Sequence, residues 1–281
     1  MLDVAVVIPN LNGENVLSAC LGAVPAAAGA IAWEIVVVDN ASRDGSVEYL
    51  ERSAGIRLIR HEENLGFATA CNHGGKSLES RYVLLLNNDV VLSLGALERM
   101  VQYGDRHEKV GAVTPLMCWP DGRIQGPRLG LFANRHAEAV PMSWAPGTCL
   151  LLRREALDAI GWLDEAFFFY NEDLDLSWRL RQAGWKIVCM PGIRVNHQEG
   201  ASTRSNPEIR ARAILEGYRG SVLLAKKHYA WALWLVRLGL RLDVEWQALK
   251  LSRRRGTLVE REEALQLCLP ELRRSLAGSR D

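Results

Sequence analysis

The first hundred residues alternate short β-branched runs with helical patterns, and this alternation limits the fold more than any other feature of the chain. The runs predict strands at residues 4–8, 34–38, 56–60 and 82–86. Helices are predicted between and after them, at residues 15–28, 46–53, 66–79 and 94–106. Because strands that alternate with helices build βαβ units, the sequence predicts an α/β fold with a parallel sheet.

The pattern is looser in the middle of the chain. Residues 115–122 indicate a hairpin or a loop, and residues 146–153 indicate a strand that leads into a helix at 154–160. A helix is predicted at 171–183, followed by strands at 186–190 and 193–195. From Pro207 onward the sequence is charged, rich in Leu and Arg, and predicted to be helical.

The bulk properties favour a soluble globular protein. The chain has 281 residues, is 48% hydrophobic and 24% charged, and carries a formal net charge of +1, so no chain-wide field favours nucleic acid. The N-terminus has no basic leader, and no apolar run reaches the roughly 20 residues that a membrane-spanning helix needs. Six widely spaced cysteines without a C-x-x-C pair predict reduced thiols and a cytoplasmic location.

Polar residues follow the predicted second and fourth strands, at 39–40 and 87–89. Ligands of open α/β sheets bind at the carboxyl ends of strands, so these residues mark the expected crevice. Asp39 is placed there to accept hydrogen bonds from a nucleotide base or ribose. The alternative is that Asp39 or Asp44 caps the next helix.

Asn64 and Gly66 open the predicted third helix. A glycine at a helix N-terminus lets a phosphate or ribose approach the backbone N–H groups, where the helix dipole favours negative charge. An ordinary turn and helix start would explain the same residues. The two readings stay open on this motif alone.

Asp89 is a candidate ligand for a hard divalent cation such as Mg²⁺ or Mn²⁺. Such cations prefer oxygen ligands and share their shell between one or two carboxylates and substrate phosphates. His197 follows a short predicted strand and could complete the shell. A structural turn at 87–89 and a core histidine at 197 are the alternatives.

Glu172 and Asp173 begin a predicted helix, with Asp175 close behind and four aromatic residues at 167–170 in front. Acidic residues stabilise a helix N-terminus, so capping would explain part of this cluster. Three acids exceed what a cap needs. An apolar wall raises the pKa of a nearby carboxyl, which suits a general base.

Five segments of the chain form an ordered set. They are VIPNLNG at 7–13, VDNASRDG at 38–45, NLGFA at 64–68, LNND at 86–89 and FYNEDLD at 169–175. In this order they resemble the family 2 glycosyltransferases of the GT-A fold, especially the rhamnosyltransferase-like branch, over about residues 3–200. The resemblance implies a Rossmann-like, mostly parallel sheet flanked by helices, with a C-terminal helical extension.

The resemblance also implies roles for single residues. The nucleotide-sugar-binding residues would be Pro9, Asn10, Asn12, Asp39, Asn64, Gly66 and Asn88. Asp173 would be the catalytic base, with Glu172 beside it. Asp89 would hold a divalent cation together with His197, and the first acid of the family's D-x-D motif is replaced by Asn87.

The implied reaction is metal-dependent, inverting transfer of a sugar from a nucleotide-sugar donor to a glycan or lipid-linked acceptor in cell-surface polysaccharide synthesis. The branch favours L-rhamnose from dTDP-rhamnose. Residues 1–205 would form the GT-A domain, with a nucleotide-sugar half at 1–110 and an acceptor half at 111–205, and residues 206–281 a helical region. A nucleotidyltransferase, which needs a glycine-rich basic loop after strand one, and a non-catalytic sugar-binding relative are the alternatives.

The region from Lys226 to Leu238, continuing to 253–255, combines basic residues, tryptophans and leucines on helical patterns. A helix of this composition can lie in a membrane interface, which would make the protein peripheral at the cytoplasmic face. Core packing or a homodimer contact explains the pattern equally well.

Overall fold

The computed structural model describes residues 1–125, 137–198, 207–254 and 258–277. The chain divides into two compact units. The sheet unit comprises Met1–Glu165 and Asp173–Ala201, and the helical unit comprises Ala166–Glu172 and Ser202–Asp281. The short segment Ala166–Glu172 therefore groups with the C-terminal helices, which the sequence did not predict.

The strands of the described residues form one sheet. They are β1 Leu2–Asn10, β2 Trp33–Asp39, β3 Ile56–Arg60, β4 Ser80–Leu86, β5 Val90–Val91, β6 Val110–Cys118, β7 Val140–Met142, β8 Cys149–Arg153 and β9 Lys186–His197. Their order is β3-β2-β1-β4-β8-β6-β9-β5, with β7 on β9. The α/β fold class is confirmed, but the sheet is mixed, because only β1–β4 and the β6–β9 pair are parallel.

Helices connect these strands and form the C-terminal region. They are α1 Glu14–Ala28, α2 Ser46–Glu51, α3 Phe67–Lys76, α4 Ala96–Arg106, α5 Arg154–Ile160, α6 Glu172–Gln182, α7 Pro207–His228, α8 Leu233–Arg253 and α9 Glu260–Ala277, with a 3₁₀ turn at Ala230–Ala232. The predicted helices are confirmed with shifts of a few residues at their ends. Among the described residues, no helix is both long and apolar enough to cross a membrane.

The predicted loop at 115–122 is partly wrong, because its first half belongs to β6. All nine residues of β6 are buried, so the strand lacks the polar alternation that marks a half-exposed strand. Pro115 fits because the β6–β9 register shifts beside it. The chain then does turn back, and Cys118 bridges to Ile124.

The alternating side chains of the central strands supply two cores. Val6, Ile8 and Leu84 pack on the face covered by α1 and α4. Val7, Val83 and Leu85 pack on the opposite face, with residues of α3, α5 and α6. All six cysteines are buried free thiols. The central strands are therefore covered by packed side chains on both faces of the sheet.

Gly74→Ala tests the close approach of α3 to the sheet. A Cβ at residue 74 would lie 2.5 Å from Val7 Cγ1 and 3.0 Å from Val38 Cγ2. Such overpacking should lower the free energy of unfolding by about 1–3 kcal/mol, measured by urea denaturation.

Gly22→Ala is the matched control, since Gly22 also lies in a helix but a Cβ there would meet no atom within 4 Å. It should raise the free energy of unfolding by about 0.5–1 kcal/mol, because alanine favours the helix. Equal effects of the two substitutions would contradict the packing of α3.

Candidate functional site

The ends of β1, β2 and β4 are joined by polar side chains. Asn10 and Asp39 are partners in the β1–β2 register and are 1% and 2% exposed. Asn10 Nδ2 donates to Asp39 Oδ1 at 2.9 Å, and Asn10 Oδ1 accepts from Asn88 Nδ2 at 2.7 Å. Three residues predicted from separate motifs therefore form one hydrogen-bonded row.

Ser42, which the sequence reasoning did not single out, locks the loop after β2. Its hydroxyl donates to Asp39 Oδ1 at 2.5 Å and its backbone N–H donates to Asp39 Oδ2 at 3.0 Å. The Asp39 carboxylate therefore closes a turn by bonding the backbone N–H three residues after it. The D-x-x-S spacing at 39–42 was the available signal.

The loop after β1 is fixed by the same turn. Asn12 adopts a φ of 52°, its N–H donates to Ser42 Oγ at 2.9 Å, and its Oδ1 accepts from Arg43 N at 2.8 Å. A Cβ on Gly13 would lie 2.2 Å from Asn10 Oδ1, so only glycine fits there. Pro9, the residue before Asn10, lies opposite Val38 in the sheet.

The segment that carries Asn64 and Gly66 is connected to this edge through Asn40. Asn64 Oδ1 accepts from the Gly66 N–H at 3.0 Å, and the Gly66 carbonyl accepts from Asn40 Nδ2 at 3.0 Å. His61 Nδ1 lies 2.7 Å from Asn40 Oδ1, and its Nε2 lies 2.9 Å from His73 Nδ1. Burial, and after it His73, lowers the pKa of the His61 imidazole.

Asp89 and His197 lie side by side, although 107 residues separate them in the chain. Val90 pairs with His197 across β5 and β9, which places Asp89 Oδ1 3.3 Å from His197 Nε2. Both residues are buried. Gln125 fixes the imidazole, because Gln125 Oε1 lies 2.8 Å from His197 Nδ1 and Gln125 Nε2 donates to the His197 carbonyl.

These two residues do not make a complete metal shell by themselves. Among the residues that the structure describes, no group of three or more His, Cys, Asp or Glu side chains could hold a metal ion. A cation here would need further ligands from substrate or water.

Asp173 lies in the first turn of α6. Its Oδ2 accepts from the Gly147 N–H at 3.3 Å and its Oδ1 accepts from the Leu174 N–H at 2.8 Å. Burial raises the pKa of the Asp173 carboxyl above its usual range, although these N–H groups and the nearby Trp144 indole act against the shift. The carboxyl therefore has the raised proton affinity that general-base catalysis uses.

The remaining acids of this cluster have different surroundings. Asp175 is fully buried and pairs with Arg179 at 2.6 Å, while Arg179 also donates to the Ile160 carbonyl, so α6 is held in place. Glu172 is buried and belongs to the helical unit. In that unit the guanidinium of Arg212 lies 4.2 Å from the centre of the Phe168 ring.

Two family models match the sequence. Glycosyl transferase family 2 matches residues 5–161, and Glycosyl transferase family group 2 matches residues 124–250. The N-acetylglucosaminyl-diphospho-decaprenol L-rhamnosyltransferase of Mycobacterium tuberculosis is 29% identical over 236 residues, which cover 70% of this chain and 76% of the relative. The O-antigen biosynthesis protein RfbC of Myxococcus xanthus is 26% identical, covering 72% of this chain but only 18% of the relative.

Solved structures share the fold at low identity. S. aureus TarS 1–349 aligns with a TM-score of 0.58 and 16% identity, covering 96% of this chain and 83% of that chain. GalNAc-T7 with UDP, GalNAc and Mn²⁺ aligns with a TM-score of 0.59 and 17% identity, covering 99% of this chain and 57% of that chain. Because one family model spans more than half of the sequence, the chain belongs to Glycosyl transferase family 2.

Proposed function

We propose that this glycosyltransferase moves a sugar, with inversion, from a nucleoside-diphosphate sugar to a glycan or lipid-linked acceptor in cell-surface polysaccharide synthesis. The observation that carries the proposal is Asp173, a carboxylate with a raised pKa in the first turn of α6. The M. tuberculosis relative, named as an L-rhamnosyltransferase, supports L-rhamnose as the transferred sugar, and dTDP-L-rhamnose is the donor that we propose. The same name supports an acceptor carried on a polyprenyl diphosphate. The location that we propose is the cytoplasmic face of the membrane.

The nucleotide is proposed to bind along the polar row at the strand ends. An ionised carboxylate offers about four lone-pair sites, and Asp39 uses three of them on Asn10 and Ser42. One acceptor site on Asp39 is left for a base or ribose. Asn10 and Asn88 then act mainly by holding the strand ends in register.

The loops on either side of this row complete the proposed nucleotide-sugar site. Pro9 and Asn12 would border the base and ribose, because they flank Asn10 at the end of β1. Asn64 and Gly66 would border the diphosphate. Gly66 directly precedes α3, whose first N–H groups can donate hydrogen bonds to an anion.

The proposed chemistry of the sugar transfer requires one proton acceptor. Asp173 would take the proton of the acceptor hydroxyl, which then attacks the anomeric carbon from the face opposite the leaving nucleoside diphosphate. The backbone N–H groups of Gly147 and Leu174 hold the carboxylate in one orientation during this step. Glu172, the preceding residue, would support the position of Asp173.

Asp89 and His197 fit a divalent cation. Gln125 Oε1 can only accept, so His197 Nδ1 donates to it, and His197 Nε2 is directed toward Asp89 Oδ1. A divalent cation would be held by His197 Nε2 and Asp89 Oδ1, together with oxygen atoms of the substrate or water. A bound Mg²⁺ or Mn²⁺ would neutralise charge on the departing diphosphate.

Asp173→Asn should lower kcat for sugar transfer by about 10²–10⁴-fold, since the amide cannot accept the proton. Donor affinity should stay within about twofold, because Asp173 is proposed to act on the acceptor. Nucleoside diphosphate release and donor titration measure the two effects. Glu155→Gln, on the exposed face of α5, is the control and should retain full activity.

The pH dependence of kcat/KM should report the same carboxyl. A general base works only when deprotonated, so activity should fall as the pH drops through the raised pKa of Asp173. The acid limb should therefore lie above the value of 3.8 that is usual for aspartate. A limb at or below 3.8, or the same limb in the Asp173→Asn enzyme, would contradict the assignment.

Asp89→Asn tests the proposed cation site through binding alone. Calorimetric titration of a nucleoside diphosphate should give tighter binding with Mn²⁺ than with EDTA for the unmodified chain. In the variant this gain should shrink by about tenfold or more, while affinity in EDTA stays the same, because a metal ligand is lost. If Mn²⁺ increased the affinity of the variant as much as that of the unmodified chain, Asp89 would not be a ligand of the cation.

A further inference from the structure

The helix α8 exposes a row of large apolar side chains. The row, called the α8 stripe, consists of Trp231, just before the helix, and of Trp234, Leu238, Leu242, Trp246 and Leu249. Its members are between 38% and 78% exposed. Successive members are three or four residues apart, so they lie along one face of the helix.

The opposite face of α8 already satisfies the packing needs of the helical unit. Val244 is 1% exposed and belongs to the same core as Leu265 and Leu272 of α9, and Leu240 and Leu251 pack against that core. A helix of a soluble protein normally keeps one apolar face. The second apolar face of α8 therefore has no role in holding the described part of this unit together.

Charges around the stripe are predominantly positive. Arg237, Lys250 and Arg253 of α8 are not ion-paired with any carboxylate of the described residues, and Lys250 Nζ lies 5.3 Å from the Trp246 ring centre. Both acids of α8 have a partner, including Glu245, which lies on the same face as the stripe. Glu245 pairs with Arg273 at 2.7 Å, and Asp243 accepts from the Tyr218 hydroxyl.

We propose that the α8 stripe docks on the surface of an anionic lipid bilayer. Tryptophan side chains partition to the headgroup level, and the leucines between them add apolar area below it. Lysine and arginine beside the stripe are attracted to anionic headgroups. Pairing of the stripe with a second copy would instead bring two sets of like charges together. The docking surface does not depend on the proposed transfer reaction.

Sedimentation with lipid vesicles tests the proposal. The full chain should bind vesicles that contain phosphatidylglycerol and bind vesicles of pure phosphatidylcholine much more weakly, with binding reduced by salt. Leu242→Glu should weaken binding at least about tenfold, because it removes an exposed leucine that would enter the bilayer and adds a negative charge that anionic headgroups repel. Leu267→Glu is the matched control, since Leu267 is an exposed leucine of α9 outside the stripe.

The outcomes separate the lipid surface from other occupants. Equal loss in both variants, or no vesicle binding by the unmodified chain, would overturn the proposal. A dimer in sedimentation velocity that Leu242→Glu abolishes, without vesicle binding, would assign the stripe to self-association instead. Circular dichroism should show the same helix content for all three chains, because both positions are exposed.

Discussion

The row of hydrogen bonds from Asp39 through Asn10 to Asn88 is the interaction on which the rest of the site depends. It works because β1 pairs in parallel with both β2 and β4, so three strands end at one edge with their polar residues adjacent. The buried row stays in place because each member is hydrogen-bonded, as buried polar groups must be. Loops from three parts of the chain are thereby fixed next to one another.

The sequence could predict the parts of this arrangement that follow from local pattern. Both ends of the strand at Ile56–Arg60 were predicted correctly, since a short β-branched run between turns is compatible with few other secondary structures. β6 was missed because a strand buried on both faces has no period of two. The Asp89–His197 contact was suggested, but their separation of 3.3 Å depends on the pairing of β5 with β9, which no local pattern encodes.

Partners that act across the fold were harder to predict. Gln125, which orients His197, and His61, which bonds Asn40, carry no motif, because their roles arise only when distant segments meet. α8 shows the converse limit. Because α8 has apolar residues on two opposite faces, its sequence shows little amphipathic pattern. The sequence therefore left membrane contact and core packing as equal alternatives. The structure assigns one of the two faces to the core.

Analysis of the phosphorus-containing product tests the central claim that these strand ends bind a nucleotide sugar for transfer. The purified chain would be incubated with Mn²⁺ and, in separate reactions, with a panel of nucleotide sugars plus a polyprenyl-diphosphate-linked sugar as acceptor, or with nucleoside triphosphates plus sugar 1-phosphates. Release of nucleoside diphosphate from a nucleotide sugar is the result that the site predicts. Pyrophosphate release from the second set would indicate a nucleotidyltransferase, and release from neither would indicate a binding protein without turnover.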